Sequence, residues 1–179
     1  MEFSKLMEER RSVRSYRKAT VTKEQILEMA KAAVQAPSWK NTETGRYYIV
    51  MEPEKVAKFR AECLPGFNQA STENCSAYIV ATFQKGIAGF KSSGEKANTP
   101  GNEWGAYDLG LQNAYLLLKA RELGLDSLIM GLYDEAGVRA FCGIPENEDL
   151  MPVIAIGCRE GEPALRERKQ PEEILHFVG

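Results

Sequence analysis

The chain has 179 residues, enough to bury the core of one domain, with 44% hydrophobic and 27% charged residues and a formal net charge of −2. That balance argues against a nucleic-acid-binding surface, which needs a marked basic excess. No stretch reaches the roughly 20 apolar residues that span a bilayer, and the charged start Met-Glu-Phe-Ser-Lys-Leu-Met-Glu lacks the apolar core of a secretion signal, so a cytoplasmic protein with no membrane partner is expected.

Phe3 to Glu9 reads as a short amphipathic helix. It leads into Arg10-Arg11-Ser12-Val13-Arg14, which sets three guanidiniums and a hydroxyl within five positions. Arginine's fixed fork of donors suits phosphate and planar acceptors. On its own, however, such a run more often sits in water. Thr22 and Gln25 have the spacing of a capping box, and Val21 and Ile26 that of a hydrophobic staple. Ile26, Leu27, Ala30, Ala33 and Val34 then form one helical stripe, which Pro37 ends. Arg46 to Met51 reads as a strand, Glu54 to Cys63 as a helix stopped by Pro65-Gly66, and Ala77 to Phe83 as a buried strand. The segment 86–105, rich in Gly, Ser and Asn, reads as a long loop: a lid and a disordered connection are both open. Trp104 to Leu123 is apolar on most sides, so this helix is expected to lie between a sheet and a further layer or subunit. Ser127 to Leu132 and Pro152 to Cys158 read as core strands, with an Asp134-capped helix carrying Val138 and Phe141 between them, closed by Gly143. Ile174, Leu175, Phe177 and Val178 make the last residues apolar; such a tail is expected to dock on its own core or on a partner. There are no repeats, and a single domain over 1–179 is expected.

The chemistry-bearing residues narrow the choice. Cys63, Cys75, Cys142 and Cys158 are scattered without metal-ligand spacing and read as buried reduced thiols. The single histidine, His176, argues against histidine triads and multi-histidine metal centres, so no metal site is expected. An enzyme of this composition would take its hard chemistry from a bound cofactor.

The ordered set Arg10-Arg11-Ser12-Val13-Arg14, Ala36-Pro37-Ser38-Trp39-Lys40-Asn41-Thr42, Asp108 with Leu118 to Leu125, Met130-Gly131, and Ile156-Gly157 through Pro163 to Arg168 covers nearly the whole chain. It resembles the nitroreductase family of FMN-dependent oxidoreductases. The resemblance implies an α+β fold, a three-layer sandwich with a mixed central sheet flanked by helices. It also implies a homodimer with FMN at the interface and an exchanged C-terminal segment.

By the same resemblance Arg10, Arg166 and Arg168 would hold the FMN phosphate, and Ser12 the phosphate or ribityl chain. Arg14 would be the catalytic cation, beside the N1/O2 edge that gains negative charge on reduction. Pro37, Ser38, Trp39 and Asn41 would come from the other subunit, Asn68 would face the pyrimidine edge, and Met130 and Gly131 would offer a backbone N–H near N5. Read without the family, Trp39 is an interface aromatic, Pro37-Ser38 a helix stop, Asn68 a loop cap, and Arg166 and Arg168 a solvated tail. The family's frequent Gln-Pro-Trp after the Asn-Thr pair is here Glu43-Thr44-Gly45. Ser71 stands near a position where some relatives have lysine. The implied activity passes hydride from NAD(P)H through FMN to a small acceptor such as a nitroaromatic, quinone, enone or flavin. The alternatives are dehalogenase-like chemistry on the same scaffold and a non-catalytic nucleotide-binding regulator.

Overall fold

Alternation along the strands sets the architecture. The computed structural model describes residues 2–179. Its strands are β1 (Tyr16–Arg17), β2 (Gly45–Val50), β3 (Ala77–Gln84), β4 (Asp126–Met130) and β5 (Glu148–Arg159). Its helices are α1 (Phe3–Glu9), α2 (Lys23–Ala33), α3 (Pro53–Cys63), α4 (Gly66–Ser71), α5 (Glu103–Glu122) and α6 (Glu135–Cys142). Successive side chains of a strand point to opposite faces. Tyr78, Val80, Val153 and Ala155 therefore meet Val56 and Phe59 of α3 and Val138 of α6. Ala77, Ile79, Ile154 and Ile156 meet Ile26, Met29 and Ala33 of α2 and Leu116, Leu117 and Ala120 of α5. Helices on both faces of one sheet give the expected three-layer α+β sandwich.

The long strand β5 ties the sheet together. It pairs antiparallel with β3 over 148–156, with β4 over 153–157 and with β1 at Cys158 and Arg159. β2 completes the sheet against β3, also antiparallel. The parallel element is a single bridge, Ser12 to Ser127, on the outer edge of β4. That bridge lays the arginine-rich segment alongside β4.

Several boundaries differ from the sequence expectation. β5 starts at Glu148, not Pro152, because the buried Glu148 carboxylate accepts hydrogen bonds from Tyr48 (2.9 Å) and Thr82. A charge at the head of a strand hides the strand from any hydropathy pattern. Pro65-Gly66 does stop α3, but it also starts α4: the Asn68 and Gln69 amides donate to the Pro65 carbonyl at 2.9 and 3.0 Å. The strand expected to run to Leu132 ends at Met130. The 86–105 segment is a looped excursion with one bridge, Phe90 to Lys96, before α5 begins. Asn98 accepts from the Trp104 indole at 2.8 Å, and Asn102 accepts from the Gly86 amide at 2.8 Å. The apolar tail lies open to solvent in the single chain, with Phe177 at 94% and Val178 at 95% exposure. Among the described residues no helix is long and apolar enough to cross a membrane.

Candidate functional site

The helix α1 ends at Arg10, whose amide donates to the Leu6 carbonyl at 3.1 Å before the backbone turns extended. The Val13 amide then donates to Ser127 O at 2.9 Å, and the Val13 side chain is buried in the core at 2% exposure. With Val13 turned inward, Ser12 and Arg14 face out, as a period of two requires. The far end of the chain is brought here by a buried ion-pair junction. Asp126, on β4, takes Arg159 Nη2 at 2.7 Å and Arg121 Nη1 at 3.1 Å. Arg159 also donates to Glu9 O at 3.0 Å, and the Glu160 amide to Ser15 O at 2.9 Å. The chain leaving β5 therefore passes directly over residues 10–14.

Between these two segments lies a cavity of about 990 Å³, lined by Arg10, Arg11, Ser12, Arg14, Arg166 and Arg168 with Glu8, Glu160 and Glu162 among the others. Five arginines against three glutamates leave it net positive. Among the described residues, no carboxylate lies within ion-pair distance of any of these five guanidiniums. Burial lowers the Arg10 pKa from its usual value, and the nearby charges of Arg168 and then Arg11 lower it further. Unpaired, mutually repelling cations around a cavity are a donor set that matches a doubly charged phosphate monoester. Arg10 and Ser12 also border a second trough of about 540 Å³ whose walls are largely apolar, including Leu109, Leu117, Ile129, Met151 and Pro152. The charged chamber and the apolar trough thus share Arg10 and Ser12 in their walls.

A separate knot forms at residues 37–43. The Trp39 amide donates to the carboxylate of Asp108 on α5 at 2.8 Å, and Asp108 is 2% exposed. The Trp39 ring packs on Trp104, with centroids 4.9 Å apart and planes tilted by 47°. Ser38 Oγ accepts from the Glu43 amide at 3.2 Å, and Asn41 donates to the Glu43 carboxylate at 3.0 Å. Three non-glycine residues here have left-handed backbone, Lys40 (φ 47°), Asn41 (φ 57°) and Glu43 (φ 49°). Such a conformation costs about 1–2 kcal/mol for most residues and less for Asn. The segment after it is held by the same helix: Tyr47 donates to Asn113 at 3.0 Å, and Gln112 fills the space where a side chain at Gly45 would stand.

The structure gathers Arg10, Ser12, Arg14, Arg166 and Arg168 around one cavity. Pro37, Ser38, Trp39 and Asn41 line neither chamber within the single chain; Trp39 is held against α5 instead. Asn68 is buried, and its amide donates to Leu132 O at 2.8 Å, so it pins the exit of β4. The Met130 side chain sits in the core at 3% exposure, and the residues beside it that look outward are Ile129 and Leu132. The buried polar face of α5, Asp108, Gln112 and Asn113, lies outside the apolar reading of that helix, although Asp108 stood in the family pattern. Their spacing of four and five residues on one face was the available signal. Burial pushes the Cys63, Cys75 and Cys142 thiols up to about 11, which keeps them protonated and unreactive at neutral pH.

A three-layer α+β sandwich thus carries an arginine-lined chamber beside its β4 edge. Comparison with known proteins makes this specific: the sequence model of the nitroreductase family matches residues 7–158, and the chain belongs to that family. It is 28% identical to an NADH dehydrogenase of Thermus thermophilus, with 88% of this chain and 87% of that protein covered. Among solved structures it is similar to a gut-bacterial enone reductase, CLA-ER, at a TM-score of 0.84 and 21% identity, covering 99% of this chain and 98% of the other. It is likewise similar to an oxidoreductase containing FMN, at a TM-score of 0.76 and 22% identity, covering 90% and 79%. These last two likenesses concern the fold.

Proposed function

We propose that the chain is an FMN-dependent oxidoreductase that takes hydride from NAD(P)H and delivers it to a small acceptor, an enone, quinone, nitroaromatic or flavin. The observation that carries this is the chamber of five unpaired arginines beside an apolar trough that shares Arg10 and Ser12 with it. FMN has a matching division, a phosphate at one end and a planar ring at the other. The Thermus relative is named as a dehydrogenase of NADH, and two fold neighbours are named as an enone reductase and as containing FMN.

FMN when bound would supply the two-electron carrier that no side chain of this protein provides. Arg10, Arg166 and Arg168 would hold its phosphate, and Ser12 the phosphate or the first hydroxyls of the ribityl chain. Arg14 is exposed and committed only by a long 3.4 Å contact to Ser12 O, so its guanidinium is free to turn toward a ring edge that gains negative charge. A fixed cation there favours the reduced, anionic form. Asn68 would act through the β4 exit it pins, and Met130 and Gly131 through backbone N–H groups, since the Met130 side chain is committed to the core.

A homodimer completes the arrangement. Pro37, Ser38, Trp39 and Asn41 stand apart from the chamber of their own chain, so they would serve the chamber of a second copy. The exposed tail residues Ile174, Leu175, Phe177 and Val178 need apolar cover. A groove of about 510 Å³ between α1, α2 and α5, with Phe3, Leu6, Ala114 and Leu118 in its walls, is a surface of the right character.

The absorbance spectrum of the purified protein tests the whole proposal. A flavin spectrum that bleaches with NADH or NADPH and returns with an acceptor is expected. A colourless protein that neither takes up FMN nor oxidises the nicotinamide would instead favour a nucleotide-binding regulator. Arg14→Ala is expected to slow the bleaching step while leaving the fold intact; unchanged reduction kinetics would remove Arg14 from its role.

A further inference from the structure

We infer that Asp108 is a positioning residue that holds the 37–43 knot in its left-handed path, and so sets Ser38 and Asn41 for the flavin; the second half rests on the function proposed above. Asp108 is 2% exposed, and among the described residues no cation lies within ion-pair distance of it. Its hydrogen bond is the one from the Trp39 amide. Burial raises its carboxyl pKa, and the Trp39 N–H pulls it part of the way back. A buried carboxylate with one backbone donor is costly, and a hydrophobic residue would serve packing alone better.

What the carboxylate does is anchor a strained loop. Lys40, Asn41 and Glu43 all have positive φ. Such a path persists only where its surroundings over-determine it. Ser38–Glu43 and Asn41–Glu43 are hydrogen bonds within the loop itself, so they cannot fix it to the body of the protein. The Trp39–Trp104 stack connects it to the start of α5, beside the 86–105 loop. Asp108 is the tether rooted in the buried face of α5. It is also the first of three buried polar residues there, with Gln112 and Asn113, that meet 39–47 in turn.

Trp39 and Trp104 are the only tryptophans in the chain. Tryptophan fluorescence and near-ultraviolet circular dichroism therefore report this stack without labels. The test measures both signals, and the FMN dissociation constant by titration, for wild type, Asp108→Ala and Asp108→Asn. Asparagine keeps an oxygen acceptor for the Trp39 amide; alanine has none. The alanine variant is expected to lose the stack's dichroic signature and to bind FMN about tenfold more weakly, the loss of one hydrogen bond to a charged group. The asparagine variant should keep the signature and bind within a few-fold of wild type. If the alanine variant does not fold, Asp108→Ser, whose hydroxyl stops short of the Trp39 amide, takes its place with the same expectation.

An alanine or serine variant with a wild-type tryptophan signature overturns the tether. A lost signature with unchanged FMN affinity overturns its role in the flavin site and leaves the function standing. A wild-type protein that takes up no FMN overturns that role together with the function.

Discussion

Arg168→Gln has opposite expected effects on the empty and the occupied protein. In the empty protein the Arg168 charge is one of the causes, after burial, that lower the Arg10 pKa. Removing it relieves a repulsion. Both groups see solvent, so screening limits the gain to about 0.5 kcal/mol. In the FMN complex the same change removes a charge-assisted hydrogen bond to phosphate. Such bonds contribute about 1.5–3 kcal/mol, and the exposure of Arg168 argues for the lower end, a loss of roughly tenfold in affinity. Flavin fluorescence quenching with FMN and with riboflavin, which lacks the phosphate, gives the two affinities. Thermal melting of the flavin-free protein at low ionic strength gives the stability. FMN binding should weaken about tenfold, riboflavin binding should stay as in wild type, and the melting temperature should hold or rise slightly. Equal weakening of FMN and riboflavin would show that Arg168 does not read the phosphate. A lowered melting temperature would show that it serves the fold.

Two further outcomes follow from single features. Truncation after Gln170 removes Ile174, Leu175, Phe177 and Val178 and is expected to give monomers that lose flavin; size-exclusion chromatography with absorbance at flavin wavelengths checks it, and a truncated protein that stays dimeric and yellow would refute the exchanged tail. Lys40→Gly places at φ 47° the residue that tolerates it, and should stabilise the protein by up to about 1 kcal/mol in urea unfolding; a loss of stability would mean that the Lys40 ammonium, 6.0 Å from the Trp39 ring centroid, contributes more than the strain costs.

The parts of the fold written in local pattern were legible. The Thr22–Gln25 capping box forms as read, and Ala77 to Phe83, read as a buried strand, is covered by a helix layer on each face. What was hidden depends on partners distant in sequence. Glu148 heads a strand because Tyr48 and Thr82, 100 and 66 residues away, satisfy its carboxylate. Asp108 and Asn113 are polar on a buried face because Trp39 and Tyr47 meet them there. No window of sequence contains those pairs. The candidate site divides the same way. Arg10, Ser12 and Arg14 were visible as a cluster, and Arg166 and Arg168 joined them only through a family pattern. The chamber's glutamates, Glu8, Glu160 and Glu162, carried no signal of their own.

Arginine shows most plainly what a sequence withholds. Arg121 and Arg159 share the buried Asp126, and Arg139 pairs with Glu135 at 2.9 Å. The charges of Arg121 and Arg159 are settled inside the fold, where removing one would leave the buried Asp126 short of a partner, while the Arg139–Glu135 pair lies nearer the surface. Arg10, Arg14, Arg166 and Arg168 have no such partner among the described residues, yet the fold holds them around one cavity. A folded chain has no energetic reason to gather like charges unless something else offsets their repulsion. In sequence, Arg159-Glu160-Gly161-Glu162 and Arg166-Glu167-Arg168 look alike, mixed runs of both signs. In the structure the first is an anchor and the second faces a chamber. Pairing distinguishes an arginine that serves the fold from one kept available for a ligand, and here the unpaired ones come from two segments about 150 residues apart, brought together by an anchor, Arg159–Asp126, that is itself fully paired.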